Sequence, residues 1–313
     1  MKIFIAGAAG AIGSYLTPLL VQSGHDVVGT SRTSSGLGRI RELGADAVLM
    51  DGLDRKSVSD AVNAASPDLI INQMTALSGG INPRRMEKSF SDTNRLRAEG
   101  TDNLLAAAAA AGTKRFIAQS YTGWPYARTG GPVKTENDPL DPDPPPALRP
   151  LLDAIRHLED SVIAAGGMVL RYGGFYGPGT SMAPGGEQWE MIKSRRMPVI
   201  GNGEGIWSFV QIEDAAKATR LAVDSYRPGE IFNIVDDDPA PVKEWLPAAA
   251  EIIGAKPPHR VPRWVGKLAA GEQTAVMMCE IRGASNEKAK RDLDWTPAHP
   301  SWREGIAGMP DRA

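Results

Sequence analysis

The segment Ser-Tyr-Thr-Gly-Trp-Pro-Tyr, residues 120–126, places two phenols and a hydroxyl directly after a short apolar run. A phenol such as Tyr121 or Tyr126 can pass a proton to a substrate oxygen, and the Thr122 hydroxyl can orient that oxygen. Packing of the rings against Trp124, or a turn cap in the case of Thr122, is the alternative role. We predict Thr122, Tyr126 and Tyr121 as catalytic candidates and Trp124 as a substrate contact.

A second chemical feature is a glycine-rich turn of the form GxxGxxG, which separates an apolar run at 2–6 from a helical pattern at 11–23. Glycine permits a positive φ and a close approach of the backbone to a pyrophosphate, and the helix start offers free N–H groups to the anion. The turn therefore predicts a dinucleotide site. The residues that contact the cofactor here are expected to be Gly7, Gly10, Ala11, Ile12 and Gly13.

The next apolar run ends in Ser31-Arg32, where an NAD-binding protein usually places a carboxylate for the ribose hydroxyls. A guanidinium instead pairs with a 2′-phosphate, so Arg32 favours NADP over NAD; an ordinary surface arginine is the alternative. Asp51, which follows the third apolar run, is expected to accept a hydrogen bond from the adenine amino group, or else to serve as a turn residue.

These groups must be positioned by strands that alternate with amphipathic helices, which is the pattern of a parallel sheet covered on both faces. We predict an α/β fold, a Rossmann-type doubly wound parallel sheet with a smaller C-terminal substrate lobe. Residues 1–172 would form the Rossmann domain, with 206–235 returning to it, and 173–205 and 236–313 would form the lobe. The predicted strands are 2–6, 26–30, 47–50, 68–72, 115–120, 168–171 and 231–235, and the predicted helices include 11–23, 58–65 and 99–111.

Composition excludes several classes of partner. The chain has 313 residues, 42% hydrophobic and 23% charged, with a net charge of -2, so neither nucleic acid nor an acidic membrane surface is an expected partner. Its single cysteine, Cys279, cannot form an intrachain disulfide, and we expect a cytoplasmic protein without a signal peptide. The four histidines lack ligand spacing, so we predict no metal site.

Several motifs in succession resemble one enzyme family over nearly the whole chain. IAGAAGAIG, DGLD, GTDNLL, KTENDPLDP, LRYGGFYGPG, GNGEGIWSFVQIEDAA and SNEKAKRDLDW are similar to the extended short-chain dehydrogenases/reductases, the NAD-dependent epimerase/dehydratase superfamily. The resemblance implies a Rossmann domain, a substrate lobe and often a homodimer formed through two helices of each subunit. It further implies cofactor contacts at Gly52, Leu53, Gln73, Met74, Thr75, Gln119, Ser120, Tyr172 and Gly173, and substrate contacts at Gly174 and Phe175.

The family's active helix carries a tyrosine and, four residues later, a lysine, and a glutamate usually follows the lysine by four. Glu159 matches that glutamate, which puts Leu151 at the tyrosine position and Ile155 at the lysine position. The usual pair is therefore absent. Without a nearby ammonium group, a phenol used here is expected to keep a pKa near the ordinary value of about 10, which favours reduction over alcohol oxidation.

A further departure concerns the substrate. The family often carries an arginine that clamps the diphosphate of a nucleotide sugar, and Trp207 stands at the matching position. An indole offers an apolar face and no charge, so Trp207 predicts a smaller or more hydrophobic substrate, unless Arg195 and Arg196 restore anion binding or Trp207 is simply core.

Three functions remain open at this point. The first is an NADP-dependent oxidoreductase that acts on a non-nucleotide carbonyl or enone. The second is an epimerase, dehydratase or isomerase that reduces its nicotinamide only transiently. The third is a non-catalytic regulator that binds NADP(H). The small-molecule substrate, the reaction direction and the oligomeric state are left undetermined by the residues.

Overall fold

The computed structural model describes residues 1–77 and 82–309, so the last four residues of the predicted lobe, 310–313, lie outside the described part. Its strands are β1 Lys2–Ala6, β2 Asp26–Ser31, β3 Asp46–Leu49, β4 Leu69–Asn72, β5 Arg115–Tyr121, β6 Val133–Lys134, β7 Met168–Tyr172, β8 Gly174–Tyr176, β9 Val199–Ile200, β10 Ile206–Trp207, β11 Phe209–Gln211, β12 Ile231–Ile234, β13 Ala240–Pro241, β14 Arg260–Val261 and β15 Gly283–Ala284.

The helices alternate with these strands through the first two thirds of the chain and dominate the remainder. They are α1 Ala11–Gln22, α2 Ser34–Glu42, α3 Arg55–Ala65, α4 Met86–Arg95, α5 Thr101–Ala111, α6 Arg149–Ala164, α7 Glu187–Lys193, α8 Ile212–Asp224, α9 Val242–Ile252, α10 Arg263–Ala270, α11 Glu272–Cys279, α12 Glu287–Leu293 and α13 Trp302–Ala307.

Seven parallel strands form the central sheet in the order β12-β7-β5-β4-β1-β2-β3. The chain runs outward from β1 to β3, then crosses back to β4 and continues to the other edge. The strand order therefore reverses between β1 and β4, and ligands of such sheets bind beside the carboxyl ends of the strands at that reversal. The predicted doubly wound parallel sheet is confirmed, with β12 and β3 as its two edge strands.

Alternation along each strand sends side chains to two separate cores. Ile3 and Ile5 face the side covered by α1 and α8, whereas Phe4 and Ala6 face the side covered by α3 and α5. A third core, which contains Trp189, Trp245 and Trp302, belongs to the C-terminal half of the chain. Within the described ranges, no helix is long and apolar enough to cross a membrane.

The predicted helix at 99–111 differs from the structure at its start. Helix α4 continues through a π-helical turn, Leu96–Gly100, directly into α5. A π turn places one extra residue in the helix and so shifts the 3.6-residue apolar pattern, and no helix was predicted before residue 99. The turn packs against α6, and Leu96 and Arg97 are both buried.

Candidate active site

The glycine-rich turn between β1 and α1 has the geometry of an anion cradle. Gly7 has a φ of 91°, and a Cβ atom there would lie 2.9 Å from the carbonyl oxygen of Gln73, so only glycine fits without strain. A Cβ at Gly13 would overlap the carbonyl of Ala8, so this glycine lets α1 pack against the turn. Gly10 begins the helix without a side-chain cap, which leaves N–H groups free for a ligand.

A groove lies beside this turn, at the reversal point of the sheet. It is lined by Gly7, Ala9, Gly10, Thr30, Ser31, Arg32, Met50, Gly52, Gln73, Met74, Thr75 and Leu96. Seven of these are predicted cofactor contacts. Thr30 was missed by the sequence analysis; its Oγ1 accepts a hydrogen bond of 3.2 Å from the N–H of Gly7 and so holds the turn in place.

The predicted phosphate-binding residue Arg32 is exposed at the mouth of this groove and makes no ion pair or side-chain hydrogen bond within the described residues. It stands just before α2, whose start is capped by Thr33. Three hydroxyls lie around it, with Ser31 Oγ 3.4 Å from Thr33 Oγ1 and Thr33 Oγ1 3.3 Å from Ser35 Oγ. A free cation, hydroxyls and a helix N-terminus together form a favourable environment for a phosphate.

Asp51 takes part in a turn. Its Oδ1 accepts a hydrogen bond of 3.0 Å from the N–H of Leu53, and its exposed carboxylate lies outside the groove lining. Gly52 does line the groove, and a Cβ there would overlap the sulfur of Met74. The adenine contact of Asp51 and the contact of Leu53 remain predictions.

The loop after β5 brings Thr122 to the carboxyl edge of the sheet. Its N–H donates to the carbonyl of Tyr172 at 2.9 Å, whereas its Oγ1 is buried and has no hydrogen-bond partner within the described chain. Gln73, at the end of β4, likewise has an unpaired Oε1. Buried polar atoms normally have partners, so two unpaired oxygens at neighbouring strand ends indicate places for a ligand.

Tyr126 does not fit the predicted role of proton donor, and this prediction needs correction. Its ring is fully buried, its hydroxyl donates to Asn233 Oδ1 at 2.7 Å, and the same oxygen accepts from Arg171 Nη1 at 2.9 Å. Burial raises the pKa of Tyr126. A phenol with both hydrogen-bonding roles occupied inside the protein has no position left for a substrate, so its role is structural.

Ser120 belongs to the same buried network. Its hydroxyl donates to Glu159 Oε1 at 2.6 Å, and Arg171 binds both oxygens of the Glu159 carboxylate. The preceding residue Gln119 lies half-buried on β5, outside the groove lining. The Ser120 hydroxyl is therefore already bound within the protein, and the cofactor contacts of Ser120 and Gln119 remain predictions.

Tyr121 keeps a free phenol. Its hydroxyl has no hydrogen bond within the described residues, and it lies so close to Gly123 that a Cβ there would overlap it. Burial raises the pKa of Tyr121 to about 12, above the expected value of about 10. The shift is upward because the ring packs among apolar side chains that do not solvate a phenolate.

The face of α6 that should carry the proton relay is entirely apolar. Leu151 is 1% exposed and Ile155 is 0% exposed, and both pack in a cluster with Trp124 and Val276. Tyr121 and Trp207 lie at the border of this cluster. The helix therefore presents no phenol and no ammonium group at these positions.

The segment after β7 serves mainly to pack the sheet. The Tyr172 hydroxyl lies 2.6 Å from Thr219 Oγ1 and accepts from Gln73 Nε2 at 3.3 Å, and burial raises its pKa to about 12. Its ring centroid is 5.4 Å from that of Phe175. Gly173 and Gly174 both lie against the Ser208 backbone. Direct cofactor or substrate contacts of these residues stay predictions.

Trp207 joins two cores. Its Nε1 donates to the carbonyl of Met277 at 3.0 Å, and its ring centroid lies 5.1 Å from that of Trp245. Trp207 also borders the cluster of Leu151, so it forms an apolar wall between α6 and the C-terminal half of the chain. Of the two arginines considered nearby, Arg195 is held by the carbonyl of Pro257 at 2.8 Å.

Sequence reasoning missed Arg97. A polar residue in a helix is usually solvated, and only the π turn, which the apolar pattern did not reveal, carries this arginine inward. It is 8% exposed.

Metal chemistry was not expected, and in residues 1–77 and 82–309 no group of three or more His, Cys, Asp or Glu side chains could hold a metal ion.

Comparisons with known proteins agree with this geometry. The family model described as the NAD dependent epimerase/dehydratase family matches residues 3–235. The chain belongs to the NAD-dependent epimerase/dehydratase family. It is an oxidoreductase-type enzyme of that family.

The relatives of this protein are named as different kinds of enzyme, a reductase and epimerases. It is 38% identical to a 3-diazoavenalumate denitrifying reductase from a Streptomyces species over 310 residues, 98% of this chain and 99% of that protein. It is 24% identical to a UDP-glucose 4-epimerase from Corynebacterium glutamicum, covering 97% and 93% of the two chains. The structure of a Thermotoga maritima UDP-glucose 4-epimerase with UDP-glucose superposes with a TM-score of 0.76 at 23% identity, covering 98% and 96%.

Within this epimerase/dehydratase fold, the residues present suit a nicotinamide dinucleotide. The cradle at Gly7 admits no Cβ, and the α1 N-terminus has no side-chain cap. Gln73 Oε1 and Thr122 Oγ1 have no hydrogen-bond partner among the described residues. The groove thus has the features that a dinucleotide requires, whereas the face of α6 at Leu151 and Ile155 is apolar. This arrangement suits a bound hydride donor next to a substrate that receives no proton from Leu151 or Ile155 of α6.

Proposed function

We propose that this protein is an NADP(H)-dependent reductase of a small, non-nucleotide electrophile that accepts hydride without a proton from α6. The observation that carries the proposal is the pairing of an intact dinucleotide groove with a buried apolar face at Leu151 and Ile155. Reactions that deprotonate an alcohol need a base there, and this face offers none.

The preference for NADP rests on Arg32. This guanidinium has no partner in the described part of the chain, and it stands just before α2, near the hydroxyls of Ser31, Thr33 and Ser35. Such an environment favours a 2′-phosphate over a plain ribose. No carboxylate stands at this turn to bind the ribose hydroxyls of NAD.

For the substrate we extend to this chain the class named for the Streptomyces relative, a diazo compound that loses nitrogen. When bound, NADPH supplies a hydride, so an aryl diazonium ion ArN₂⁺ yields ArH and N₂ and leaves NADP⁺. The C–N bond breaks, a C–H bond forms, and the balance requires no proton from the protein. A carbonyl or enone also needs a proton, so it is the less favoured substrate class for this site.

The chain's own residues then have limited tasks. The Thr122 hydroxyl is positioned to orient a polar substrate atom, and the apolar cluster around Leu151 excludes water from the reacting end. Tyr121 stays neutral at pH 7 because burial raises its pKa to about 12, so it can donate a hydrogen bond or a proton but cannot act as a base.

A substrate panel with isotope labels tests this proposal. Aryl diazonium carboxylates labelled with ¹⁵N and matched aldehydes and enones would be offered with NADPH, and both NADPH loss and ¹⁵N₂ release measured. We expect one N₂ for each NADPH, with transfer of deuterium from only one face of the nicotinamide, which separates catalysis from spontaneous reduction. Turnover of carbonyl compounds alone would agree with a reductase but would refute the proposal that diazo compounds are the substrates.

Two other results would select the rival functions. Product formation without net change in NADPH would favour an epimerase, dehydratase or isomerase. Tight NADPH binding with no turnover of any substrate would favour the regulator.

Nucleotide sugars belong in the same panel, because Trp207 in place of a clamp arginine leads us to expect that they are not substrates.

Two structural expectations accompany this proposal. We assign the dinucleotide-binding domain to residues 1–172 with 206–235, and the substrate lobe to the remainder of the chain. We also propose a homodimer formed through two helices of each subunit, as in relatives of this family. Light scattering coupled to size-exclusion chromatography measures the oligomeric state. A monomeric mass at micromolar concentration would contradict the proposed homodimer.

A further inference from the structure

Arg97 is an unusual arginine because it is buried and no counter-charge pairs with it among the residues that the structure describes. It is 8% exposed, and within residues 1–77 and 82–309 its side chain makes no hydrogen bond and no ion pair. The other buried cations differ in this respect. Arg171 binds Glu159 at 2.6 Å, and Lys134 binds Asp138 at 3.0 Å. A buried charge is costly unless it is paired, so the guanidinium of Arg97 lacks the partner that its burial calls for.

Arg97 lies in a turn that borders both the dinucleotide groove and helix α6. It lies in the π turn Leu96–Gly100, next to Leu96, which lines the dinucleotide groove. The turn packs against α6, the helix that carries Leu151 and Ile155. Such π turns occur frequently at functional sites, because the extra residue redirects a side chain.

Two groups act electrostatically on the Arg97 charge, Tyr121 and Glu159. The Glu159 carboxylate is already held by Arg171 and by the Ser120 hydroxyl, so it is not free to neutralise a second cation. Tyr121 is neutral at pH 7 and has no hydrogen-bond partner in the described part of the chain. Burial lowers the pKa of Arg97 only to about 10, so the guanidinium is still charged at pH 7.

The Arg97 guanidinium and the Tyr121 phenol are thus two neighbouring donors, and neither has an acceptor among the described residues. The surroundings of Tyr121 are apolar side chains, among them Leu151, Ile155 and Trp124. A ligand that suits such a place has a flat apolar body and one anionic group with two acceptor oxygens. A carboxylate matches the guanidinium in geometry and in charge.

We infer that Arg97 is the residue that binds the carboxylate of the substrate, with the Tyr121 hydroxyl as a second donor. This inference rests on the proposed function, since it assigns an acidic substrate to the same site. It defines the substrate class as a small aromatic or unsaturated carboxylic acid. It also gives the cation a role that differs from a proton relay: Arg97 holds the substrate by its acid group, away from the reacting atom.

Equilibrium binding tests the inference without any turnover, so its failure is distinguishable from failure of the reductase assignment. Calorimetry on the full chain saturated with NADP⁺ would compare cinnamate with its uncharged amide, cinnamamide. We expect the wild-type protein to bind cinnamate roughly tenfold to a hundredfold more tightly, the usual effect of a charge-assisted pair. In Arg97→Met this preference should disappear, and in Arg97→Lys it should be partly retained.

Arg95→Met is the matched control, because Arg95 lies two residues earlier, at the end of α4, is exposed and, among the described residues, pairs with Glu99. That variant should keep the wild-type preference. The affinity of Arg97→Met for NADP⁺ should change less than twofold. Its melting temperature without ligands should equal or exceed that of the wild type, because an unpaired buried charge is removed.

Three results would overturn the inference. Equal affinity of the wild-type protein for cinnamate and cinnamamide would show that no carboxylate is recognised. A tenfold weaker binding of NADP⁺ by Arg97→Met would assign the guanidinium to the cofactor's phosphates instead. A melting temperature well below that of the wild type in both Arg97→Met and Arg97→Lys would make Arg97 a structural residue.

Discussion

The guanidinium of Arg171 binds both carboxylate oxygens of Glu159, with Nε 2.8 Å from Oε1 and Nη2 2.6 Å from Oε2. Ser120 and Tyr126 join the pair through hydrogen bonds of 2.6 and 2.9 Å. This network ties α6 and β7 to both ends of the loop that carries Tyr121 and Thr122. Glu159 therefore has a structural task that is independent of the lysine that family members carry four residues earlier.

Glu159→Gln should destabilise the fold strongly. Removal of one partner of a buried ion pair leaves the other charge uncompensated, which costs about 3–5 kcal/mol. Denaturant unfolding measures the loss, and the double variant Glu159→Met with Arg171→Met should recover much of it. Asp224→Asn, in the exposed pair Arg220–Asp224, is the control and should cost less than about 1 kcal/mol. A Glu159→Gln protein as stable as this control would contradict the prediction.

Arg32→Ala should reduce the affinity for NADPH by about tenfold or more and leave the affinity for NADH within about twofold. The reason is the loss of a charge-assisted contact with the 2′-phosphate, which NADH lacks. Calorimetry with both cofactors measures the difference, and Arg41→Ala, an exposed arginine in the last turn of α2, is the control. If the unmutated protein binds both cofactors equally well, the assignment to NADP is wrong.

Thr122→Val and Tyr126→Phe should separate a substrate contact from a structural residue. The Thr122 hydroxyl has no protein partner, so its replacement should not lower the melting temperature, while kcat/KM should fall by about tenfold or more. Loss of the Tyr126 hydroxyl leaves Asn233 and Arg171 short of a partner and should cost about 1–3 kcal/mol of stability, with little change in kcat/KM. The opposite pattern would restore Tyr126 as the proton donor.

Tyr121 should remain un-ionised throughout the neutral range. Because burial raises its pKa to about 12, the folded protein keeps this proton between about pH 10 and pH 12, whereas the unfolded chain loses it. The Tyr121 contribution to stability therefore falls as the pH rises above about 10. Ultraviolet difference titration against Tyr121→Phe measures the ionisation, and a phenolate signal below pH 9 assigned to Tyr121 would refute the expectation.

Nucleotide sugars should bind weakly even in the presence of NADP⁺. Trp207 stands where the family resemblance predicts the diphosphate clamp, and its uncharged indole, which contacts Met277 and Trp245, cannot neutralise two phosphates. A melting-temperature screen with UDP-glucose should show a shift below about 1 °C, and Arg195→Ala with Arg196→Ala should leave it unchanged. Strong stabilisation that these two substitutions abolish would reverse the interpretation.

Local sequence patterns determined much of this protein. Buried parallel strands are short apolar runs bounded by glycine and polar residues, so β1 at Lys2–Ala6 and its neighbours could be predicted to within a residue or two. The glycine-rich turn was recognisable because a positive φ and close backbone contacts admit no other residue at Gly7. The absence of the tyrosine–lysine pair was visible as well, because helical spacing from Glu159 fixes which positions share its face.

Only the tertiary structure decided which polar groups are satisfied and which are free. Tyr126 looked available in the sequence, but its partners Arg171 and Asn233 come from β7 and β12, 45 and 107 residues further along the chain. Arg97 was not among the predicted residues, because no local pattern signals the π turn in which it is buried. Hydrogen-bond saturation and burial depend on contacts between segments distant in sequence, so the free phenol, hydroxyl and guanidinium of this site could be identified only after the chain was folded.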